Sequence, residues 1–168
     1  MPALTVRPGD ADDLHAVAGL YLRSRSAAVG LMPALPHGRS AVLAQVMAWD
    51  LAGAEVWIAE LEEEAAGFAW VVDAWLEHLY VDPRAVRQGV GGALLETVQA
   101  TRPGGFGLWV YESNHRARRF YARHGLTVWD PPPPGAEDEP GVSRIALRWP
   151  GAVEPPEDTT SCRTRPAH

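Results

Sequence analysis

Leu76-Glu77-His78-Leu79-Tyr80-Val81-Asp82-Pro83-Arg84-Ala85-Val86-Arg87-Gln88-Gly89-Val90-Gly91-Gly92-Ala93-Leu94-Leu95 is the stretch on which the fold turns. Together with Trp75 its first part reads as a strand, Trp75 to Val81, stopped at Asp82-Pro83 because proline has no N–H to give to a ladder. From Gly89 the period changes. Val90, Ala93, Leu94, Thr97 and Val98 follow the i, i+3, i+4, i+7, i+8 stripe of a helix. A strand therefore feeds a glycine-rich turn that opens directly into a helix. Glycines 89, 91 and 92 remove Cβ atoms that would hold a ligand off the backbone, and a first helical turn offers unpaired N–H groups and partial positive charge. A phosphate or pyrophosphate fits such a cradle, with Arg84 and Arg87 at its mouth. The same glycines also suit a turn that only permits close packing. The spacing departs from the dinucleotide fingerprint Gly-x-Gly-x-x-Gly, and the next strand ends without the acidic residue that pattern requires.

Working outward, Leu4 to Arg7 reads as a short strand, and Asp10 as the cap of a helix with Leu14, Val17, Ala18 and Tyr21 on one face. After the Pro33/Pro36/Gly38 break, Leu43, Val46 and Met47 suggest a second, shorter helix. Ala54 to Glu60 alternates like a half-buried strand, and Gly67 to Val72 is its hairpin partner across Glu62-Glu63-Glu64. Downstream of the glycine turn, Phe106 to Val110 reads as a strand. A helix then runs from about Asn114 to His124, with Ala117, Phe120, Tyr121 and His124 on one face and Gly125 as its C-cap. Strands near Leu126 to Trp129 and Val142 to Trp149 close the chain around a Pro131–Gly141 loop. The order β α α β β β α β α β β demands some parallel pairing with helices packed on the sheet. Trp57, Trp70 and Trp75 read as core, and the arginines at 116, 118, 119 and 123 as a solvated face.

The chain has 168 residues, with 15 basic against 21 acidic for a net charge of −6. At about 100–200 residues per domain this is one core. Nine of the fifteen prolines lie within 131–168, so the folded unit is expected over residues 1–150 and a disordered proline-rich tail over 151–168. All 15 basic residues are arginine, which excludes a P-loop ending in Gly-Lys, a lysine Schiff base and lysine-linked pyridoxal phosphate. The single cysteine, Cys162, rules out a disulfide framework or a multi-cysteine zinc site, and His15, His37, His124 and His168 are too scattered for metal, so no metal is expected. Net negative charge argues against nucleic-acid binding. No apolar run approaches a bilayer span, and the Met1-Pro2-Ala3-Leu4 start lacks a secretory pattern, so no membrane association and a cytoplasmic location are expected.

Two linked blocks carry a family resemblance. The first is Leu79-Tyr80-Val81-Asp82-Pro83 followed by Gln88-Gly89-Val90-Gly91-Gly92-Ala93-Leu94-Leu95; the second is Leu108-Trp109-Val110 followed by Asn114, Ala117, Phe120-Tyr121 and Gly125-Leu126. In this order they resemble the GNAT superfamily of N-acetyltransferases. The resemblance implies an α+β fold: a mixed, mostly antiparallel sheet of about seven strands with a central parallel, splayed pair and four helices. Aligned on Gly89 and Gly91, Val86 stands where the family has Gln or Arg, and Arg87 where it often has glycine.

By that resemblance the co-substrate is acetyl-CoA. Its pantetheine arm would pair with the backbone of Leu79, Tyr80 and Val81, and its pyrophosphate would sit on the N–H groups of Arg87, Gln88, Gly89, Val90, Gly91 and Gly92. Tyr121 matches the family tyrosine beside the sulfur and is assigned as the acid, since a phenol of reference pKa about 10 is matched to an alkyl thiol. A core tyrosine with a satisfied hydroxyl is the plain alternative. Asn114 resembles the residue that contacts the pantetheine arm, and would also serve as an N-cap. For the base Glu77 is favoured over Glu112 and His115, with His78 expected on the opposite face of the strand. The implied activity is direct acetyl transfer to a primary amine of a small molecule or peptide. The rival is a catalytically weak acyl-CoA-binding sensor or interaction module. Residues 22–52 and 130–141, which build the acceptor pocket in the family, carry no diagnostic charge pattern, and dimers are common among its members.

Overall fold

The computed structural model describes residues 2–35, 38–134 and 141–151. Its elements are β1 (Leu4–Pro8), α1 (Leu14–Ala27), α2 (Arg39–Met47), β2 (Ala54–Leu61), β3 (Glu64–Val72), β4 (Trp75–Val81), α3 (Val90–Thr101), β5 (Phe106–Tyr111), α4 (His115–Arg123), β6 (Thr127–Val128) and β7 (Arg144–Trp149). The strands form one sheet in the order β1-β2-β3-β4-β5-β7-β6, antiparallel throughout except for parallel β4 and β5. The expected element order and the mixed sheet are both present. Residues from 152 onward, including Cys162 and His168, lie outside the described residues, as do His37 and 135–140 of the proline-rich loop.

Each face of the sheet carries its own core. Val90, Leu94, Leu95 and Val98 of α3 and Tyr121 of α4 pack on one face with Val71, Leu76, Leu108 and Leu147. Leu14, Val17, Ala18, Leu20 and Tyr21 of α1 and Val42 and Val46 of α2 pack on the other with Ile58, Phe68 and Trp70. Strand β3, with a neighbour on each side and helices over both faces, is buried at every residue from Ala66 to Val71. The α3 helix comes close because Gly67 has no side chain; a Cβ there would lie 2.7 Å from Val90 Cγ1.

Several local expectations are corrected. Asp10 caps a single 3-10 turn, Ala11–Asp13, in a reciprocal box with Asp13, and α1 starts only at Leu14. In α2 the buried residues are Val42 and Val46, while Met47 is 47% exposed. The C-cap of α4 is His124; Gly125 follows it with φ +84°, the left-handed residue just past a helix end that glycine accepts without strain. Trp75 is only half-buried and packs against Trp109 and Trp129 at 5.9 and 6.0 Å instead of entering the core.

The central pair is splayed. Strands β4 and β5 share one register pair, Trp75 with Gly107, and the Gly107 N–H donates to Ala74 O at 3.0 Å; beyond that point they part. Two features turn them aside. Gly107 leaves room for the Trp75 ring to cross it, since a Cβ there would run into that ring and come within 2.9 Å of Trp129. On its other edge β4 carries a bulge: Trp70 faces His78 and Val71 faces Leu76, which leaves Glu77 unpaired. Because of the extra residue, Leu76 and Leu79 both reach the α3-side core although they are three apart. The inserted residue interrupts strict alternation at Glu77, whose side chain is exposed, while His78 lies against Trp49 and Tyr21 on the α1 side.

Candidate active site

The splay opens a cavity of about 930 Å³ that runs from the α3 N-terminus along β4 to the ends of β4 and β5. Its wall includes Glu77, Leu79, Tyr80, Val81, Arg87, Gly89, Val90, Gly91, Gly92, Asn114 and Tyr121, so the site residues expected from sequence are brought together. Gln88 is the exception: its side chain turns back to donate to Arg84 O at 3.2 Å, and only its backbone belongs to the loop. Among the described residues no group of three His, Cys, Asp or Glu side chains could hold a metal ion, and no helix is long and apolar enough to cross a membrane.

Backbone geometry defines one side of the cavity. Asp82 N–H donates to Ala66 O at 2.8 Å, and in an antiparallel ladder every second residue pairs with the same neighbour. His78 and Tyr80 therefore turn their N–H and C=O groups toward β3. Leu79 and Val81 turn theirs into the gap, where β5 has moved away. Ser24 Oγ donates to Val81 O at 2.8 Å, which occupies that carbonyl. The open groups are the Leu79 N–H and C=O and the Val81 N–H, a short free sheet edge able to pair with an amide-bearing chain.

The loop between β4 and α3 is built on two left-handed residues. Gly89 has φ +82° and a Cβ there would meet only Leu4, at 3.8 Å, so this glycine is required by conformation. Gly91 and Gly92 serve packing, since their Cβ atoms would lie 3.3 Å from Phe120 and 3.4 Å from His124. The close-packing reading thus applies at Gly91 and Gly92, while Gly89 answers to backbone conformation. Arg87 also has positive φ, +63°, where a glycine would sit without strain. Asp82, 2% exposed, anchors the loop's entry by accepting from Arg23 Nε at 3.0 Å and from Arg84 Nη2 at 2.9 Å. Those hydrogen bonds, Arg84 first, hold its carboxyl well below the usual carboxylate range.

The ionisable groups differ sharply in surroundings. Tyr121 is 8% exposed and its phenol is pushed well up by burial; among the described residues its hydroxyl has no hydrogen-bond partner. Partial burial raises the Glu77 carboxyl. His78 stacks on Trp49 at 4.8 Å and meets Tyr21 edge-on at 5.6 Å; burial, then the charge of Arg25, pushes it down to about 4. It is neutral at pH 7. Asn114 Oδ1 accepts from Ala117 N–H at 3.2 Å, so the N-cap role is filled while the side chain also lines the cavity. Arg116 and Arg123 line the cavity as well, whereas Arg118 donates to Glu112 O at 3.1 Å.

The far wall was expected from residues 22–52 only as a region, without its individual residues. Ser24, Arg25, Leu31 and Met32 come from the end of α1 and the turn after it, and Tyr111 and Arg144 from β5 and β7. The one signal was spacing: Arg25 lies a helical turn beyond Tyr21, on the face that reaches the sheet.

Residues 52–127 match the model of the acetyltransferase (GNAT) domain. The peptidyl-lysine N-acetyltransferase YiaC of Escherichia coli (strain K12) is 33% identical over 101 residues, which cover 60% of this chain and 66% of that protein. The matched stretch thus spans about two thirds of the relative's length. Among solved structures, apo YjaB from Escherichia coli superposes with a TM-score of 0.69 at 22% identity, covering 89% of this chain and 99% of its own. The yncA protein of Salmonella typhimurium, solved with its cofactor acetyl-CoA, gives 0.64 at 20% identity, with 88% and 94% covered. At these identities the structural likeness is one of fold. The linked motifs, the splayed parallel pair and the domain match converge on one assignment: this chain belongs to the GNAT superfamily of N-acetyltransferases.

Proposed function

We propose that this protein transfers the acetyl group of acetyl-CoA to a primary amine of a small molecule or peptide by direct attack. The observation that carries the reading is the continuous cavity joining the left-handed loop at 87–89, the free edge at Leu79 and Val81, and Tyr121 and Glu77. A relative named as a peptidyl-lysine N-acetyltransferase and a fold neighbour solved with acetyl-CoA support it.

The residues present fit the co-substrate. The α3 N-terminus and Arg87 suit a pyrophosphate, and the bare conformation at Gly89 lets it approach the backbone. The open N–H and C=O of Leu79 and the N–H of Val81 suit the amides of a pantetheine arm. Acetyl-CoA supplies an activated acetyl group as a thioester. The lone pair of the amine nitrogen forms the new C–N bond while the C–S bond breaks. Leu79 N–H faces the charge that develops on the carbonyl oxygen. Glu77, directly or through one water, takes the proton lost by the amine, and its raised pKa makes it a stronger base than an ordinary carboxylate. Tyr121 gives a proton to the departing sulfur; burial raises its phenol above the ordinary value of about 10, so it is a weaker acid than the expected match to a thiol.

Incubating the protein with acetyl-CoA and a panel of amines while following free thiol tests the reading. Thiol release that requires both protein and amine is expected. Tight acetyl-CoA binding with no release under any amine would favour the binding module instead.

A further inference from the structure

Several arginines elsewhere in the described fold pair with carboxylates. Arg7 pairs with Asp13 and Glu60, Arg23 with Asp82 and Arg102 with Glu55. Arg25 does not. Its Nη2 donates to Pro33 O at 2.8 Å, it is hydrogen-bonded to the Tyr80 hydroxyl, and its guanidinium lies 5.9 Å from the ring centroids of both Tyr21 and Tyr111. Every one of these partners is neutral, and its buried Nε has none. A desolvated cation held by neutral groups is costly unless an anion completes it.

Its position says where that anion would come from. Tyr80 belongs to β4 and Tyr111 to β5, so Arg25 bridges the two strands across the open end of the splay, on the α1 side. Its charge acts on His78, and it lines the same cavity as Glu77. Arg144 lines the same wall, stacked over the Trp109 ring at 6.0 Å. Glu77 is the one carboxylate in the cavity wall among the described residues. A cationic acceptor such as a polyamine would meet the Arg25 guanidinium there, with a single acid that the chemistry already needs.

We propose that the acceptor is a small primary amine whose own skeleton carries an anionic group, a carboxylate or phosphonate, and that Arg25 binds that group while the amine faces Glu77. The inference rests on the acetyl-transfer reading of the same cavity. The Arg25 side chain is held in place before the ligand arrives by Pro33 O and the two tyrosine rings, so little rotamer freedom remains to be lost on binding.

The test uses the full chain with acetyl-CoA and matched acceptors: amino acids against their carboxamides, aminoalkylphosphonates against alkylamines of equal length, a diamine, and a neutral lysyl peptide. A charge-assisted pair predicts kcat/KM about tenfold or more higher for each anionic member than for its neutral partner. Arg25→Gln is expected to shrink that ratio to within about twofold, mainly through KM of the anionic acceptor, and Arg25→Lys to restore part of it. Preference for the diamine, the lysyl peptide or the neutral partners overturns the proposal and leaves acetyl transfer standing. So does an equal loss for both members of each pair in Arg25→Gln, which is what a strap holding the turn at Pro33 would give. Thiol release with no acceptor at all overturns both readings together.

Discussion

Burial moves Tyr121 and Glu77 in the same direction, each toward its protonated form. Burial disfavours charge, so the phenol keeps its proton and the carboxylate becomes more basic. Removing the Tyr121 hydroxyl leaves the ring packing intact, so Tyr121→Phe is predicted to lower kcat by about 10²-fold or more while the acetyl-CoA Kd stays within about threefold. Steady-state rates beside calorimetric titration check the split; an unchanged kcat removes Tyr121 from the acid role. Both residues were legible because a strand and a helix motif fix their positions. Ser24 and Arg25 were not. Nothing in α1 read alone tells where its last turn lands across β4, and the Val81 carbonyl closed by Ser24 is a contact between residues 57 apart.

At the scale of elements, the decisive feature is that β4 and β5 touch at one end only. The order of strands and helices was readable from period changes, and most boundaries fall within a residue or two of expectation. The divergence was not, because an alternating pattern carries no sign of an inserted residue: the bulge at Glu77 shows only as Leu76 and Leu79 reaching one core. Gly107 was equally silent, though its bare backbone lets the Trp75 ring cross the strand. Gly107→Ala forces a methyl group against two indole rings and is predicted to destabilise the fold by about 1–3 kcal/mol, measured by urea denaturation. A midpoint equal to that of the parent would mean that the Trp75–Gly107 contact does not hold the pair together.

For the whole molecule, two buried groups tie the sheet to its covering elements and set its response to acid. His78 is pushed down to about 4 by burial, and Asp82 is held below the usual carboxylate range by Arg84 and Arg23. Both folded values lie below those of the unfolded chain, so their stabilisation is complete above the unfolded pKa and is lost as pH falls. For His78 the window runs from the ordinary 6.5 down to about 4, and the loss amounts to at most about 3 kcal/mol. Asp82 adds a further loss below the ordinary 3.8. The parent Tm is predicted to decline between pH 6.5 and 4, and His78→Phe to flatten that segment without changing the fall at lower pH. An identical decline in the variant would assign the effect to other groups.

The single sheet with helices on both faces was implied by one crossover helix joining parallel strands. Which edges stay free was a property of the assembled molecule. The central claim is that the free β4 edge and the loop before α3 form the seat of an acyl-CoA. Residue-resolved amide hydrogen exchange with and without acetyl-CoA tests it most directly. The account predicts new protection at Leu79, Val81 and residues 87–92, with β1 and β2 unchanged. Binding that leaves those amides exchanging at their free rate, or protection confined to another face, would contradict it.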